Sequence, residues 1–337
     1  MHHDVIIIGA GPSGISLGIM LQRKGHSVAV VDKCFFPRDK LCGGLLTKRS
    51  QTFLESIIGD TDVFFKDIQW KQIDHINVVT KNDTVQYKKR RNPFLIVNRK
   101  SFDNALVRHY KSLGGVMYEG CRIHEIEYDK NRFALPDGRI LSYRFLIGAD
   151  GVYSSIRKFV DPHYKPNGLC FESYINNENL LLDKDAIYLF YNSYKYGYGW
   201  AFPRDVDFAV GFGGTIDVDK QILQFDSITR SLGISAKYKS MYLPFGQFVR
   251  HPVKENVLLI GDAAGLVDPI TGEGIFYSFL SAKFAYYHVM SKKPDSAFIY
   301  RMKGIHCRIA VLRFLRPFFY CISSLRNIYF SILWKRS

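Results

Sequence analysis

Residues 4–32 read "DVIIIGAGPSGISLGIMLQRKGHSVAVVD". A short apolar run, "DVIII", predicts a buried strand. "GAGPSG" follows, and then "ISLGIMLQRKG", whose apolar spacing predicts a helix stopped by Gly25. "SVAVVD" predicts the next strand, ending at Asp32. Gly9, Gly11 and Gly14 form G-x-G-x-x-G between strand and helix. The first glycine permits the tight turn, the second lets backbone approach a pyrophosphate, and the third packs helix on strand. Pro12 and Ser13 open the helix, whose N–H groups and dipole favour phosphate. Asp32, with Lys33 beside it, stands where a carboxylate binds ribose hydroxyls. The unit therefore predicts a dinucleotide site, without separating FAD from NAD.

Two later stretches make that separation. "IGADGVYSSIRK" (147–158) and "LIGDAAGLVDPITGEGI" (259–275) each place glycine and aspartate at a strand end. Asp150, Gly261 and Asp262 are the candidate cofactor residues there, with Asp262 in reach of a ribityl or ribose hydroxyl. Pro269, Gly272, Glu273, Gly274 and Ile275 lead into a helix whose N-terminus suits the flavin region that gains negative charge on reduction. Together the three stretches resemble the flavoprotein class typified by para-hydroxybenzoate hydroxylase. In "VNRKSFDNAL" (97–106), Arg99 matches an arginine which that class keeps near its FAD. The resemblance implies an α/β fold: a three-layer Rossmann-like FAD-binding domain interleaved with an antiparallel β-sheet substrate domain, followed by C-terminal helices. The expected boundaries are 1–70, 96–160 and 250–295 for the FAD-binding domain, 71–95 and 161–249 for the substrate domain, and 296–337 for the helical segment.

Within that class, "FPRDKLCGG" (36–44) resembles the P-x-x-K-x-C-G-G signature of geranylgeranyl reductases through Pro37, Lys40, Cys42, Gly43 and Gly44. "YGWAFPRDVDFAVGFG" (198–213) resembles the same family's Y-x-W-x-F-P and G-x-G motifs through Tyr198, Trp200, Phe202, Pro203, Gly211 and Gly213. The resemblance implies reduction of carbon–carbon double bonds in isoprenoid or other unsaturated lipid chains. It places Lys40 near the FAD, and Cys42, Gly43, Gly44, Tyr198 and Trp200 at the reacting centre. A free thiol, with an ordinary pKa of about 8.5, is a weak acid for protonating an alkene. Orienting the substrate or passing a proton from water are therefore the other roles for Cys42. Tyr198, Trp200 and Phe202 alternate at strand spacing, so their side chains share one face. That face is either an aromatic wall along the substrate or ordinary core. Gly211 and Gly213 leave space on the neighbouring strand. The W-x-W-x-I-P of flavin halogenases is absent, and the chain is shorter than usual family members, which leaves the substrate's length open.

The rest of the chain bounds these readings. Its 337 residues are 47% apolar and 23% charged, an ordinary globular composition. The 46 Lys and Arg against 31 Asp and Glu leave a net charge of +15, which suits an anionic surface or partner. Six scattered cysteines show no metal-ligand spacing, so a reducing compartment and no metal are expected. Neither a leader before Asp4 nor a bilayer-spanning run is visible, and the N-x-T at 82 carries no expected glycosylation. No second G-x-G-x-x-G provides for a nicotinamide, so NAD(P)H docking transiently and a ferredoxin are both open as electron donor. Residues 73–97 predict a hairpin with a basic tip at 88–91, and 100–113 a helix capped by Ser101 and ended by Gly114-Gly115. Residues 121–147 alternate around a "PDGR" turn, and 170–250 show few helix signals. A helix is expected over about 272–291. Residues 301–337 hold eight Lys and Arg, no Asp or Glu, and many aromatics. This suits either an interfacial helix on anionic lipid or a helix pair packed on the substrate domain, broken at Pro317.

Three functions compete: an FAD-dependent lipid double-bond reductase; an FAD-dependent monooxygenase using NAD(P)H and oxygen on a small apolar substrate; and a basic membrane- or nucleic-acid-binding protein with structural FAD. No nucleic-acid module is recognisable, so no nucleic acid is expected. The expected place is cytoplasmic, with peripheral contact to the inner membrane face.

Overall fold

The computed structural model describes residues 1–81, 83–88, 93–191, 196–291 and 294–335, the last with backbone only at 294–296 and 332–335. In chain order the first elements are β1 (His2–Ile8), α1 (Pro12–Gln22), β2 (Val28–Val31), β3 (Leu45–Leu46), α2 (Lys48–Ile58), α3 (Thr61–Phe65), β4 (Trp70–Ile73), β5 (His75–Val79), β6 (Thr84–Lys88) and β7 (Phe94–Val97). Then come α4 (Arg99–Ser112), β8 (Val116–Tyr118), β9 (Arg132–Ala134), β10 (Ile140–Gly148), α5 (Arg157–Val160), β11 (Gly168–Asn176), β12 (Ala186–Phe190), β13 (Gly197–Pro203) and β14 (Asp207–Thr215). The chain continues through α6 (Val218–Ser231), β15 (Lys239–Leu243), β16 (Val253–Lys254), β17 (Val257–Leu259), α7 (Ile275–Met290), α8 (Pro294–Cys321) and α9 (Ser323–Lys335).

The first sheet runs β16-β17-β10-β1-β2-β8, with β9 on β10. Its central strands β8, β2, β1, β10 and β17 are parallel. Val5, Ile6 and Ile7 of β1 are fully buried, as a parallel strand covered on both faces demands. Helix α1 lies over it and packs on α4 and α7. The second sheet runs β15-β11-β14-β13-β12-β5-β6 and is antiparallel except for the β5–β12 pair. These two sheets and the C-terminal helices realise the expected fold class. A small third sheet, β3-β7-β4, was not anticipated; it lies across the boundary drawn at 70 and 96.

Several local expectations need correction. Helix α4 is capped by Asn98, which accepts from the Lys100 and Ser101 amides, because Ser101 already lies inside the first turn. Helix α6 was missed inside 170–250. Asp217 caps it, and Gln221, Phe225, Ile228 and Thr229 bury one stripe at helical spacing. Residues 121–126 form no strand; β9 and β10 make the hairpin around "PDGR", and β10 then runs on into the parallel sheet. Helix α8 continues through Pro317 to Cys321, and only Ile322 separates it from α9. Beyond Lys88, the basic run at 88–91 lies outside the described residues, as does position 82. No helix among the described residues is long and apolar enough to cross a membrane. All six cysteines are free thiols.

Candidate active site

The three glycine-aspartate stretches converge at the carboxyl ends of β1, β10 and β17. Gly9 has φ +107°, and a Cβ there would lie 2.3 Å from Ala149 O. A Cβ on Gly14 would lie 2.0 Å from Gly9 O. Both glycines are thus required by packing alone. Gly11 differs: its nearest neighbour to such a Cβ is Arg38 Nη2 at 3.9 Å, so its surface is open for a ligand to approach. Pro12 starts α1, and Ser13 Oγ lies 2.7 Å from the Cβ position of Gly261, which brings the third stretch onto the first. Asp32 is buried and accepts from the amides of Ala10 (2.7 Å) and Cys34 (2.8 Å). These bonds orient its carboxylate and leave further lone pairs. The Lys33 side chain is exposed.

Asp150 accepts from the Ser155 amide at 2.7 Å and its hydroxyl at 3.1 Å. Its Oδ1 is buried without a hydrogen-bond partner among the described residues. Arg157 donates to the carbonyls of Asp262 and Ala263, and burial lowers its pKa. Asp262 Oδ1 lies 3.4 Å from the Cβ position of Gly274, the residue that precedes α7. Gly272 turns with φ +69°, Ile275 is buried at the helix start, and Pro269 packs beneath Gly246. Glu273 is committed elsewhere, accepting from Thr47, Arg49 and Ser50 around the start of α2.

These residues fit FAD by a simple test. Among helices of eight or more residues with described N-caps, α2, α4 and α6 are capped by the side chains of Thr47, Asn98 and Asp217. Helices α1 and α7 have glycine caps, no side-chain cap and no acid in the first turn. Their N–H groups are thus left for an outside acceptor at the two ends of one crevice.

Cys42 is partly buried, and Lys40, two residues before it, stands within electrostatic reach of both Cys42 and Asp262. The Cys42 amide donates to Glu172 Oε1 at 3.1 Å. Glu172 is 1% exposed and also accepts from Tyr174 Oη at 2.9 Å and Trp200 Nε1 at 3.2 Å. Burial raises its pKa, partly offset by those donors and Arg204. Arg99 is buried and holds Asp103 with two bonds of 2.8 and 2.9 Å. Burial disfavours its charge, but Asp103 and the Cys42 thiol outweigh that and raise its pKa. Lys40 donates to Met241 Sδ at 3.1 Å; burial lowers its pKa, with Asp262 opposing.

Tyr198, Trp200 and Phe202 do share one face, with centroid spacings of 5.9 and 6.2 Å. Tyr198 Oη donates to Thr271 O, which ties the row to the turn before α7, and burial raises its pKa. The space left by Gly211 and Gly213 is filled by Trp200 itself: their Cβ positions lie 2.3 and 3.3 Å from its indole. The slimness of Gly43 and Gly44 is likewise used by the protein. A Cβ on Gly43 would meet Phe202 Cδ2 at 2.4 Å, and one on Gly44, at φ +76°, would meet Val97 O at 2.0 Å. Contacts within the protein thus account for these four glycines.

Sequence reasoning missed Glu172, Asp103 and Arg157. The sole signal for Glu172 was one acid inside the apolar strand "GLCFESYIN".

The fold and the crevice define an FAD-dependent oxidoreductase that joins a Rossmann-like sheet to an antiparallel one. A family model described as FAD binding domain matches residues 2–175, just over half of the 337, and the chain belongs to that family. An uncharacterized protein of Methanosarcina barkeri is 28% identical over 296 residues, covering 84% of this chain and 73% of the relative. The menaquinone reductase of Mycobacterium tuberculosis is 26% identical over 308 residues (84% and 75%). The digeranylgeranylglycerophospholipid reductase of Methanococcus aeolicus is 25% identical over 294 residues (82% and 73%). Among solved structures, a geranylgeranyl bacteriochlorophyll reductase-like protein of Thermoplasma acidophilum superposes with TM-score 0.78 at 18% identity, over 95% of this chain and 87% of that one. PqsL, a probable FAD-dependent monooxygenase of Pseudomonas aeruginosa, superposes with TM-score 0.74 at 17% identity, over 98% and 100%. These two likenesses concern the fold.

Proposed function

We propose that the protein reduces carbon–carbon double bonds in an isoprenoid or other unsaturated lipid chain, as a member of the geranylgeranyl reductase group. The observation that carries this reading is the joining of the Cys42-Gly43-Gly44 strip to the Tyr198–Trp200–Phe202 row. Glu172 clamps the two from below, and Gly43 seats on Phe202. The names of the menaquinone and digeranylgeranylglycerophospholipid relatives support the same substrate class.

Bound FAD would supply a hydride equivalent. Gly11 and the α1 N-terminus would hold its pyrophosphate, Asp32 a ribose, Asp262 a further hydroxyl, and the α7 N-terminus the negative charge of the reduced ring. Saturating an alkene also takes one proton. Cys42, with Arg99 close to its sulfur, would orient the alkene or pass that proton in from water. The aromatic row would present a flat apolar surface to the chain and keep water from the reacting carbons. NAD(P)H or a ferredoxin would restore the reduced cofactor.

The test mixes chemically reduced protein with polyprenyl lipids in the absence of oxygen. Flavin reoxidation, with lipids gaining two hydrogens per event, is the expected outcome. Flavin that stays reduced until air enters, with products that then gain oxygen, would replace this reading with the monooxygenase.

A further inference from the structure

We propose that the outward face of α8 and α9 is a docking surface for an anionic lipid bilayer. Helix α8 is two-sided. Met302, Ile305, His306, Ile309, Phe319 and Tyr320 are buried toward the protein. On the opposite side Val311 (57% exposed), Phe314 (72%), Leu315 (43%) and Phe318 (48%) follow at helical spacing. The stripe continues over Ile322, Leu325 and Ile328 into α9. Seven large apolar side chains are thus exposed over α8, Ile322 and α9, a concentration that marks an interaction surface.

The charge beside the stripe selects the occupant. From residue 297 to 337 there is no acid. Arg301, Lys303 and Arg308 are exposed on α8. Tyr300, 78% exposed, adds an aromatic ring at the upper edge of the same face. An apolar stripe flanked by cations is the pattern of a helix lying in the plane of an anionic lipid interface. A second copy of this chain fits poorly, since a two-fold contact would bring two acid-free cationic faces together with nothing to neutralise them.

The opposite faces of the same helices cover the candidate active site. Phe319, Tyr320 and Phe330 pack on Tyr191, and Tyr191 stacks on Tyr198 with centroids 5.5 Å apart. A docked bilayer would therefore lie directly behind the helix layer that covers the aromatic row. The docking surface stands on exposure and charge alone and does not depend on the double-bond reading. If that reading is also right, the lipid substrate is taken from the surface to which the protein is bound.

The full-length, FAD-loaded protein is sedimented with phosphatidylcholine vesicles and with vesicles that also contain phosphatidylglycerol. The expected result is binding to the anionic vesicles only, weakened by added salt, and weakened at least about tenfold by Phe314→Ser with Phe318→Ser. Both side chains are exposed, so the variant should keep the wild-type melting temperature and flavin absorbance. Arg308→Glu should weaken binding in the same way. Failure of wild type to sediment with anionic vesicles would overturn the proposal. So would salt-sensitive binding that ignores the phenylalanine changes, the mark of a general polyanion surface such as one for nucleic acid. A dimer in light scattering that the serine variant converts to a monomer would assign the face to a second copy. None of these outcomes touches the reduction assay, so the two readings fail separately.

Discussion

The indole of Trp200 reaches Glu172 across an intervening strand. Trp200 on β13 is paired with Gly211 on β14, and Gly211 is paired with Glu172 on β11. Because Gly211 has no side chain, the indole lies flat over it and donates Nε1–H to Glu172 Oε2 at 3.2 Å. The other carboxylate oxygen takes the Cys42 amide. One glycine thus allows the aromatic row and the cysteine strip to share a single buried acceptor. Gly211→Ala puts a methyl within the indole's volume and should cost about 1–3 kcal/mol. The Trp200→Phe background should relieve part of that cost, with a coupling above about 0.5 kcal/mol. Chemical denaturation of the four proteins measures it, and strict additivity would refute the contact.

Glu172 gives a pH dependence of definite sign. Burial raises its pKa in the folded protein above the ordinary 4.5. The folded state then holds that proton more tightly than the unfolded chain. Its contribution to stability is complete below 4.5 and is lost as pH rises through the folded value. In Glu172→Gln this loss is absent. The stability difference between wild type and variant should therefore move in the variant's favour as pH climbs from 4 toward neutrality, on top of a constant cost of about 1–3 kcal/mol for the mismatched donors. Thermal melts of both proteins across that range decide it; a difference independent of pH would show that Glu172 is not perturbed.

Gly11 and Gly14 should separate cofactor binding from folding. Gly11 has φ −74°, which any residue adopts, and open space around it. Gly11→Ala should cost less than about 1 kcal/mol, the ordinary effect at a helix cap, yet greatly weaken FAD retention. Gly14→Ala pushes a methyl onto Gly9 O and should destabilise the apoprotein itself. The readouts are apoprotein melting and FAD fluorescence titration. An alanine at position 11 that binds FAD normally would remove the pyrophosphate from that turn.

Arg99 and Asp103 form a buried pair with ideal two-point geometry, and Arg38 approaches Asp103 at 3.4 Å. Asp103→Leu leaves two guanidinium groups without their acid and should cost about 3–5 kcal/mol. The double variant Asp103→Leu with Arg99→Met should recover much of it, since the isolated charge is then gone. Urea denaturation of both tests this. Equal instability of single and double variants would mean that Arg99 is stabilised by another partner.

The first 32 residues determined the strand-helix-strand unit at the heart of the parallel sheet and its glycine turn by themselves, because strand, turn, helix and strand there are local. The alternation of Tyr198, Trp200 and Phe202 determined one shared face in the same way, since strand geometry requires it. What the aromatic row and Cys42 touch was decided only by tertiary structure. Glu172 stands 130 residues from Cys42 and 28 from Trp200, and its role depends on the order in which β13, β14 and β11 pair. The glycines at 211 and 213 looked like empty space in the chain, but Trp200 fills it. The two-sidedness of α8 was likewise hidden, because its residues are apolar and basic nearly all round. Only packing against α7 and the second core shows which of those side chains remain in contact with solvent.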